Sequence, residues 1–173
     1  MNAPVKFSAG APFPALAWPR TNGGLLDVGG MHGWRMLVVY RGKHCPRCKS
    51  YLNKLDGMLD EFERAGVAVA AVSADPEEKA TASVAENGWH FPVGYGMTVD
   101  QMRALGLYIS EPRSAQETDR PFAEPGLFVI NADNQVQVVE CSNAPSVRPD
   151  LATVLDGIRT TIEKKLPVRG TLV

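Results

Sequence analysis

Apolar residues fall into two patterns along this chain, short unbroken runs and longer stretches with a period of three or four. The runs are Met36-Leu37-Val38-Val39-Tyr40, Val67-Ala68-Val69-Ala70-Ala71-Val72 and Leu127-Phe128-Val129-Ile130. Their length, without polar alternation, predicts strands buried on both faces of a sheet. Between the first two, Cys48, Leu52, Leu55, Leu59 and Phe62 share one side of a helix from Cys45 to a stop at Gly66. After the second run, Asp75 reads as an N-cap, Pro76 as the first helical residue and Glu78 as the partner in a capping box, for a helix ending near Asn87-Gly88. Phe91-Pro92-Val93 is short and extended, and Thr98 with Gln101 opens a short helix that Gly106 closes. Residues 109–124, with two prolines and many charges, read as an exposed loop. A turn at Asn131-Ala132-Asp133-Asn134 pairs the third run with Gln135–Val139 as a hairpin. The last helix starts near Pro149-Asp150 and carries Leu151, Val154, Leu155, Ile158 and Ile162 on one face.

Strand, helix, strand and helix, followed by a hairpin and a helix, predict an α/β fold. A parallel half joins an antiparallel half in one central mixed sheet, giving a three-layer sandwich. Residues 1–34, rich in Pro and Gly, form an N-terminal extension of extended segments and turns, punctuated by Gly23-Gly24 and Gly29-Gly30. The 173 residues suit a single domain, 1–173, large enough to bury a core without staples. Hydrophobic residues at 45% and charged residues at 21% are the balance of an ordinary globule. A formal net charge of -1 without a long basic run argues against nucleic acid or an acidic membrane as partner. No apolar run approaches a bilayer-spanning length. Met1-Asn2-Ala3-Pro4-Val5-Lys6 lacks the apolar core of an export signal, so a cytoplasmic location is expected. In that reducing compartment a close cysteine pair points to catalysis or metal binding rather than a structural bridge.

Candidate chemistry concentrates at Cys45-Pro46-Arg47-Cys48, directly after a buried strand and at the start of a helix. The first helical turn offers unpaired N–H groups and a positive dipole end, which stabilise a thiolate at Cys45. Cys48 lies on the same helical face, placed to attack a mixed disulfide at Cys45. Cys45 is therefore the expected nucleophile, solvent-open and partly ionised, and Cys48 the resolving residue. Pro46 suits the first helical position, and Arg47, Lys43 and Arg41 add positive charge. His44 either tunes the thiolate or passes a proton, or simply lines the surface. A Cys-x-x-Cys is also half a zinc site, which His44, His32, His90 or Cys141 would have to complete. Without a second such pair, no metal or other cofactor is expected. Cys141 reads as a small buried hydrophobe, with a third redox role as the alternative. Trp89-His90-Phe91-Pro92 either borders a groove or packs between helix and sheet. Asn143-Ala144-Pro145 and Arg148-Pro149 shape the turn into the last helix, and nothing in the sequence assigns Arg148 a role toward peroxide or partner.

Tyr40-Arg41-Gly42-Lys43-His44-Cys45-Pro46-Arg47-Cys48 resembles the peroxiredoxin-like branch of the thioredoxin superfamily, the alkyl hydroperoxide reductase and thiol-specific antioxidant group. Gly10-Ala11-Pro12-Phe13-Pro14 and Pro125-Gly126-Leu127-Phe128-Val129-Ile130 support the resemblance, which covers roughly residues 5–160. It implies a thioredoxin-like fold and a thiol-dependent oxidoreductase. The sequence departs from that group where a typical peroxiredoxin has Thr or Ser three residues before its peroxidatic cysteine and Pro seven before. Those positions are Gly42 and Val38. The family arginine of the late strand is replaced by Pro125, at the place of the thioredoxin cis-proline, and a cis Glu124–Pro125 bond is expected. The buried acid of thioredoxins is replaced by Met36. These departures favour dithiol–disulfide exchange. Peroxide reduction through a Cys45 sulfenic acid is the alternative, and a zinc-binding interaction module the second. The implied partners are a protein or small-molecule disulfide, or a hydroperoxide, with a reducing protein or low-molecular-weight thiol. Relatives of this group often pair as homodimers.

Overall fold

A computed structural model describes residues 5–173; Met1–Pro4, on which part of the no-export reading falls, lie outside the described residues. The chain opens with β1 (Ala17–Pro19) and β2 (Leu25–Asp27), an antiparallel hairpin, followed by β3 (Trp34–Val39). Next come α1 (Pro46–Asp56), α2 (Leu59–Arg64), β4 (Val67–Val72), α3 (Glu77–Asn87), β5 (Val93–Gly94) and α4 (Val99–Ala104). A second small hairpin, β6 (Ile109–Ser110) with β7 (Phe122–Ala123), precedes β8 (Gly126–Ile130), β9 (Val136–Cys141) and α5 (Leu151–Lys164). Five strands form the central sheet in the order β5-β4-β3-β8-β9. β3 is parallel to β4 and antiparallel to β8, so the expected mixed sheet is present, with Val39 opposite Val72 on one side and Gly126 on the other.

Successive side chains of a strand point to opposite faces, and β3 therefore divides the core in two. Met36, Val38 and Tyr40 pack with Leu52, Leu55, Phe62, Leu155 and Ile158 beneath α1, α2 and α5. Leu37 and Val39 pack with Phe13, Trp18, Leu26, Met102, Leu105 and Phe128 on the other side. The β1–β2 hairpin thus contributes Trp18 and Leu26 to that second layer, and Trp18 Nε1 donates to Gln101 Oε1 at 2.9 Å. Buried Arg35 ties this region to the β8–β9 turn. Its guanidinium donates to the carbonyls of Val28, Gly33 and Asn131 and to Asn134 Oδ1.

Five expectations change at the level of elements. The first helix breaks after Asp56, because Gly57 and Met58 close it with N–H bonds to Asn53 and Leu55 carbonyls, and α2 then starts afresh. Glycine is a weak helix former, which places the break here. The Gly66 stop holds, at φ 77°. Asp75 is not a cap: Pro76 takes the N-cap place without a side-chain bond, because the Asp75 carboxylate accepts the Lys43 N–H instead, at 2.7 Å. The Thr98–Gln101 capping box forms as expected. Residues 109–124 are not simply an exposed loop, since Thr118, Phe122, Ala123 and Glu124 are buried and Glu117 and Glu124 both pair with Arg41. The last two changes are that β9 extends to Cys141, and that the described residues contain no cis peptide bond, so Glu124–Pro125 is trans. No helix among the described residues is long and apolar enough to cross a membrane.

Candidate active site

The end of β3 delivers the chain to a tight loop over the sheet. Tyr40 N–H is held by Val72 O at 3.1 Å, and a turn from Gly42 O to Cys45 N–H closes at 3.1 Å. Gly42 sits at φ 139°, and a Cβ there would lie 2.6 Å from Asp75 Oδ1 and 3.1 Å from His44 Nδ1. The loop thus has no room for the Thr or Ser of a typical peroxiredoxin. Cys45 is the N-cap of α1, and its Sγ accepts the Cys48 N–H at 3.3 Å, with Pro46 in the first turn.

Cys45 and Cys48 are brought together as free thiols. Cys48 Sγ accepts Arg41 N–H at 3.4 Å. Arg148, from the turn before α5, places Nη2 2.7 Å from Cys48 Sγ and 3.9 Å from Cys45 Sγ. Its Nε donates to Pro145 O at 2.9 Å, and its guanidinium lies 5.3 Å from the centre of the Tyr51 ring, whose hydroxyl donates to Pro149 O at 2.8 Å. On the other side, Arg41 lies over Phe122 at 4.8 Å and pairs with Glu124 at 3.0 Å, while Glu124 also accepts the Ser110 hydroxyl at 2.7 Å.

These contacts split the two thiols. The Cys45 pKa is lowered to about 5, by the hydrogen bond from the Cys48 side chain first, then the Cys48 N–H, Arg41 and the positive Arg148, all against the cost of burial. The Cys48 pKa is raised, first by burial and then by its bond to Cys45. A thiolate next to a protonated thiol is the arrangement a nucleophile and its resolving partner require. The expected solvent-open sulfur is not found, however: Cys45 is 2% exposed and Cys48 1%. Both sulfurs have been folded under Arg148 and into the layer beneath α1.

Other anticipated residues fall on a range of places. Arg47 is exposed and, among the described residues, in no ion pair. His44 is half-buried, edge-on to Phe122 at 4.6 Å, with both ring nitrogens unpartnered among the described residues, and burial followed by the Arg41 charge pushes its pKa down. Pro125 lies in a small crevice with Val38, Tyr51 and Arg148. Cys141 packs against the far layer, its pKa raised to about 11 by burial. Trp89 packs between helix and sheet, stacked on Phe91 and bonded to Asn53, and also borders a small crevice with Lys43 and Glu86, while His90 pairs with Asp56 at the surface. Among the described residues no three His, Cys, Asp or Glu side chains gather as metal ligands would. Sequence reasoning missed Arg148: it is 100 positions from Cys48, and the missing family arginine at position 125 was the one hint that a cation must come from elsewhere. A groove of about 520 Å³ borders the dithiol beyond Arg148, lined by Pro46, Arg47, Tyr51, Lys54, Pro149 and Asp150 among others.

A thioredoxin-like sandwich with this dithiol at the head of α1 defines a thiol-dependent oxidoreductase. Residues 9–139 match the AhpC/TSA family, and the chain belongs to it. Solved structures share the fold at low identity. A peroxiredoxin-like protein from Aquifex aeolicus superposes with a TM-score of 0.76 at 16% identity, over 90% of this chain and 88% of its own. Mycobacterium tuberculosis AhpC gives 0.74 at 17% identity, over 93% and 96%. Peroxiredoxin 6 of Arenicola marina gives 0.75 at 17%, over 91% and 74%. A search among curated proteins found no match.

Proposed function

We propose that this protein is a thiol peroxidase that reduces hydroperoxides through Cys45, with Cys48 as the resolving thiol. One observation carries the reading: the sulfur of Cys45 is ionised near neutral pH yet nearly sealed from solvent. A thiolate in that position is open to an oxidant of a few atoms, whereas a protein disulfide cannot align with it unless the surrounding loops move. Dithiol–disulfide exchange, which the sequence favoured, therefore has weaker support, and membership of the AhpC/TSA family supports the peroxidase.

In this reading the Cys45 thiolate attacks the distal oxygen of the peroxide. The S–O bond forms as the O–O bond breaks, and the alkoxide leaves and takes up a proton. Arg148 and Arg41 hold the negative charge of the thiolate and of the departing oxygen. Cys48 then attacks the Cys45 sulfur, the S–S bond forms, and the sulfenic oxygen leaves as water with the Cys48 proton. The dithiol has supplied two electrons, and two equivalents of thiol, from a reducing protein or a small molecule, return them. The cytoplasm, where thiols are kept reduced, is the compartment in which such a cycle would turn over.

Stopped-flow mixing of reduced protein with hydrogen peroxide tests this. Oxidation at pH 7 should run at least about a hundredfold faster than a free thiol, beyond what thiolate fraction alone supplies, and Cys45→Ser should abolish it. A rate equal to that of a free thiol, together with rapid oxidation by a protein disulfide, would return the protein to disulfide exchange.

A further inference from the structure

Reduction of a Cys45–Cys48 disulfide has to return a proton to Cys48, and we propose that the Tyr40 hydroxyl delivers it, resupplied through a crevice that shares no residue with the groove beside Arg148. The proposal rests on the reading that the two cysteines cycle through a disulfide, whichever oxidant forms it. Burial first, and then the bond to Cys45, raise the Cys48 pKa, so the resting form of that residue is the thiol. Yet the groups that touch its sulfur cannot supply a proton. Arg41 offers a backbone N–H at 3.4 Å, and Arg148 a guanidinium at 2.7 Å, and neither group gives up a proton in a protein. Cys45, the third neighbour, is bonded to the reductant at that moment. The proton has to come from elsewhere.

Tyr40 is placed for this. The peptide bond after it carries the N–H that meets Cys48 Sγ, and its side chain lies in the same buried layer as Cys48. Its hydroxyl feels a charge on Cys48. That hydroxyl is buried and closes no hydrogen bond among the described residues, although Ser73 and Asp75 stand near it. Tyr40 also lines a crevice of about 130 Å³ with Gly42, Lys43, Lys49, Ser83 and Glu86, and polar walls around that volume give room for water. Burial raises the Tyr40 pKa, so the hydroxyl keeps its proton until a strong base is formed beside it. A thiolate stranded at Cys48 is such a base. In the step, a thiolate of the reductant attacks Cys45 Sγ. The new S–S bond forms as the Cys45–Cys48 bond breaks, and the electron pair goes to Cys48 Sγ. Tyr40 gives that sulfur its proton and takes another from water in the crevice. A second thiol then frees Cys45, so two thiols are oxidised for one disulfide reduced.

The disulfide form is made with diamide and reduced with excess dithiothreitol, and free thiols are counted by rapid quench and mass spectrometry in the wild type, Tyr40→Phe and Asp75→Asn. A positioned general acid is worth about a hundredfold or more; with Arg148 already against the leaving sulfur, Tyr40→Phe should slow reduction by about tenfold. The lost hydroxyl closes no hydrogen bond, so this variant keeps its fold. Wild-type reduction should be slower in heavy water at matched ionisation of dithiothreitol, and that difference should vanish in Tyr40→Phe, which altered packing alone would not bring about. A wild type without the isotope difference, a Tyr40→Phe rate equal to the wild-type rate, or an isotope difference that survives in Tyr40→Phe overturns the proposal. Loss of the difference in Asp75→Asn alone gives the proton to Asp75 and overturns it too. Because diamide forms the disulfide, slow oxidation by hydrogen peroxide would sink the peroxidase and leave this proposal standing, and the reverse holds as well. If diamide leaves both thiols free, this proposal and the resolving role of Cys48 fall together.

Discussion

At the scale of single residues, two cysteines three positions apart differ because their surroundings differ. Cys45 receives an N–H and faces two arginines; Cys48 is deeper and donates to its neighbour. A group with a pKa near 5 is protonated below that value and ionised above it, so alkylation by iodoacetamide should rise through pH 5 and level off by about pH 7. An opposite charge within about 4–6 Å is worth roughly one to three pKa units. Arg148→Met removes such a charge, 3.9 Å from Cys45 Sγ, and should move the midpoint up by about one unit. A midpoint unchanged in that variant would mean that the N–H and Arg41 suffice without it. That the two cysteines meet at the start of α1 was readable from their spacing. Arg148 was not, because only the folded chain brings the turn before α5 over the start of α1.

At the scale of elements, the sequence read best where one local cause acts. The Thr98 cap and the α5 face are fixed by residues within a few positions of each other, and both formed as the pattern predicts. It read worst where a side chain had a distant competitor. Asp75 has every local qualification for a cap but serves Lys43 N–H across 32 positions, and Glu117 and Glu124 are drawn inward by Arg41 from a stretch that composition alone marks as loop. The same contact makes the active-site loop intolerant of a side chain at position 42. Gly42→Ala combines a φ of 139° with an approach of 2.6 Å to Asp75 Oδ1. Strain of this kind costs about 1–3 kcal/mol. Urea unfolding of the reduced variant should show a loss of roughly 2 kcal/mol or more on that basis, and an unchanged midpoint would mean that the loop has another conformation available.

At the scale of the whole molecule, the alternation along β3 accounts for the layered core, and the three buried runs were enough to foresee it. What joins the N-terminal segment to the far end of the sheet was hidden, since an arginine just ahead of an apolar run gives no sign of whether it is exposed. Arg35 is 2% exposed and satisfies carbonyls from three separate segments. Arg35→Met keeps the bulk and strands those acceptors at about 1–3 kcal/mol each where they stay dry. Thermal unfolding should fall by about 5–10 °C for a loss of roughly 3 kcal/mol in a domain of this size, and a variant that melts with the wild type would show that water replaces the guanidinium.

The thiolate under Arg148 also sets the protein's electrical identity. With both thiols neutral the formal charge is -1, so one ionised sulfur makes it -2, and a disulfide, which carries no charge, brings it back to -1. Each turn of the proposed cycle therefore alternates the molecule between two isoelectric forms, and the oxidised one carries a guanidinium with no counter-ion in the pair of sulfurs below it.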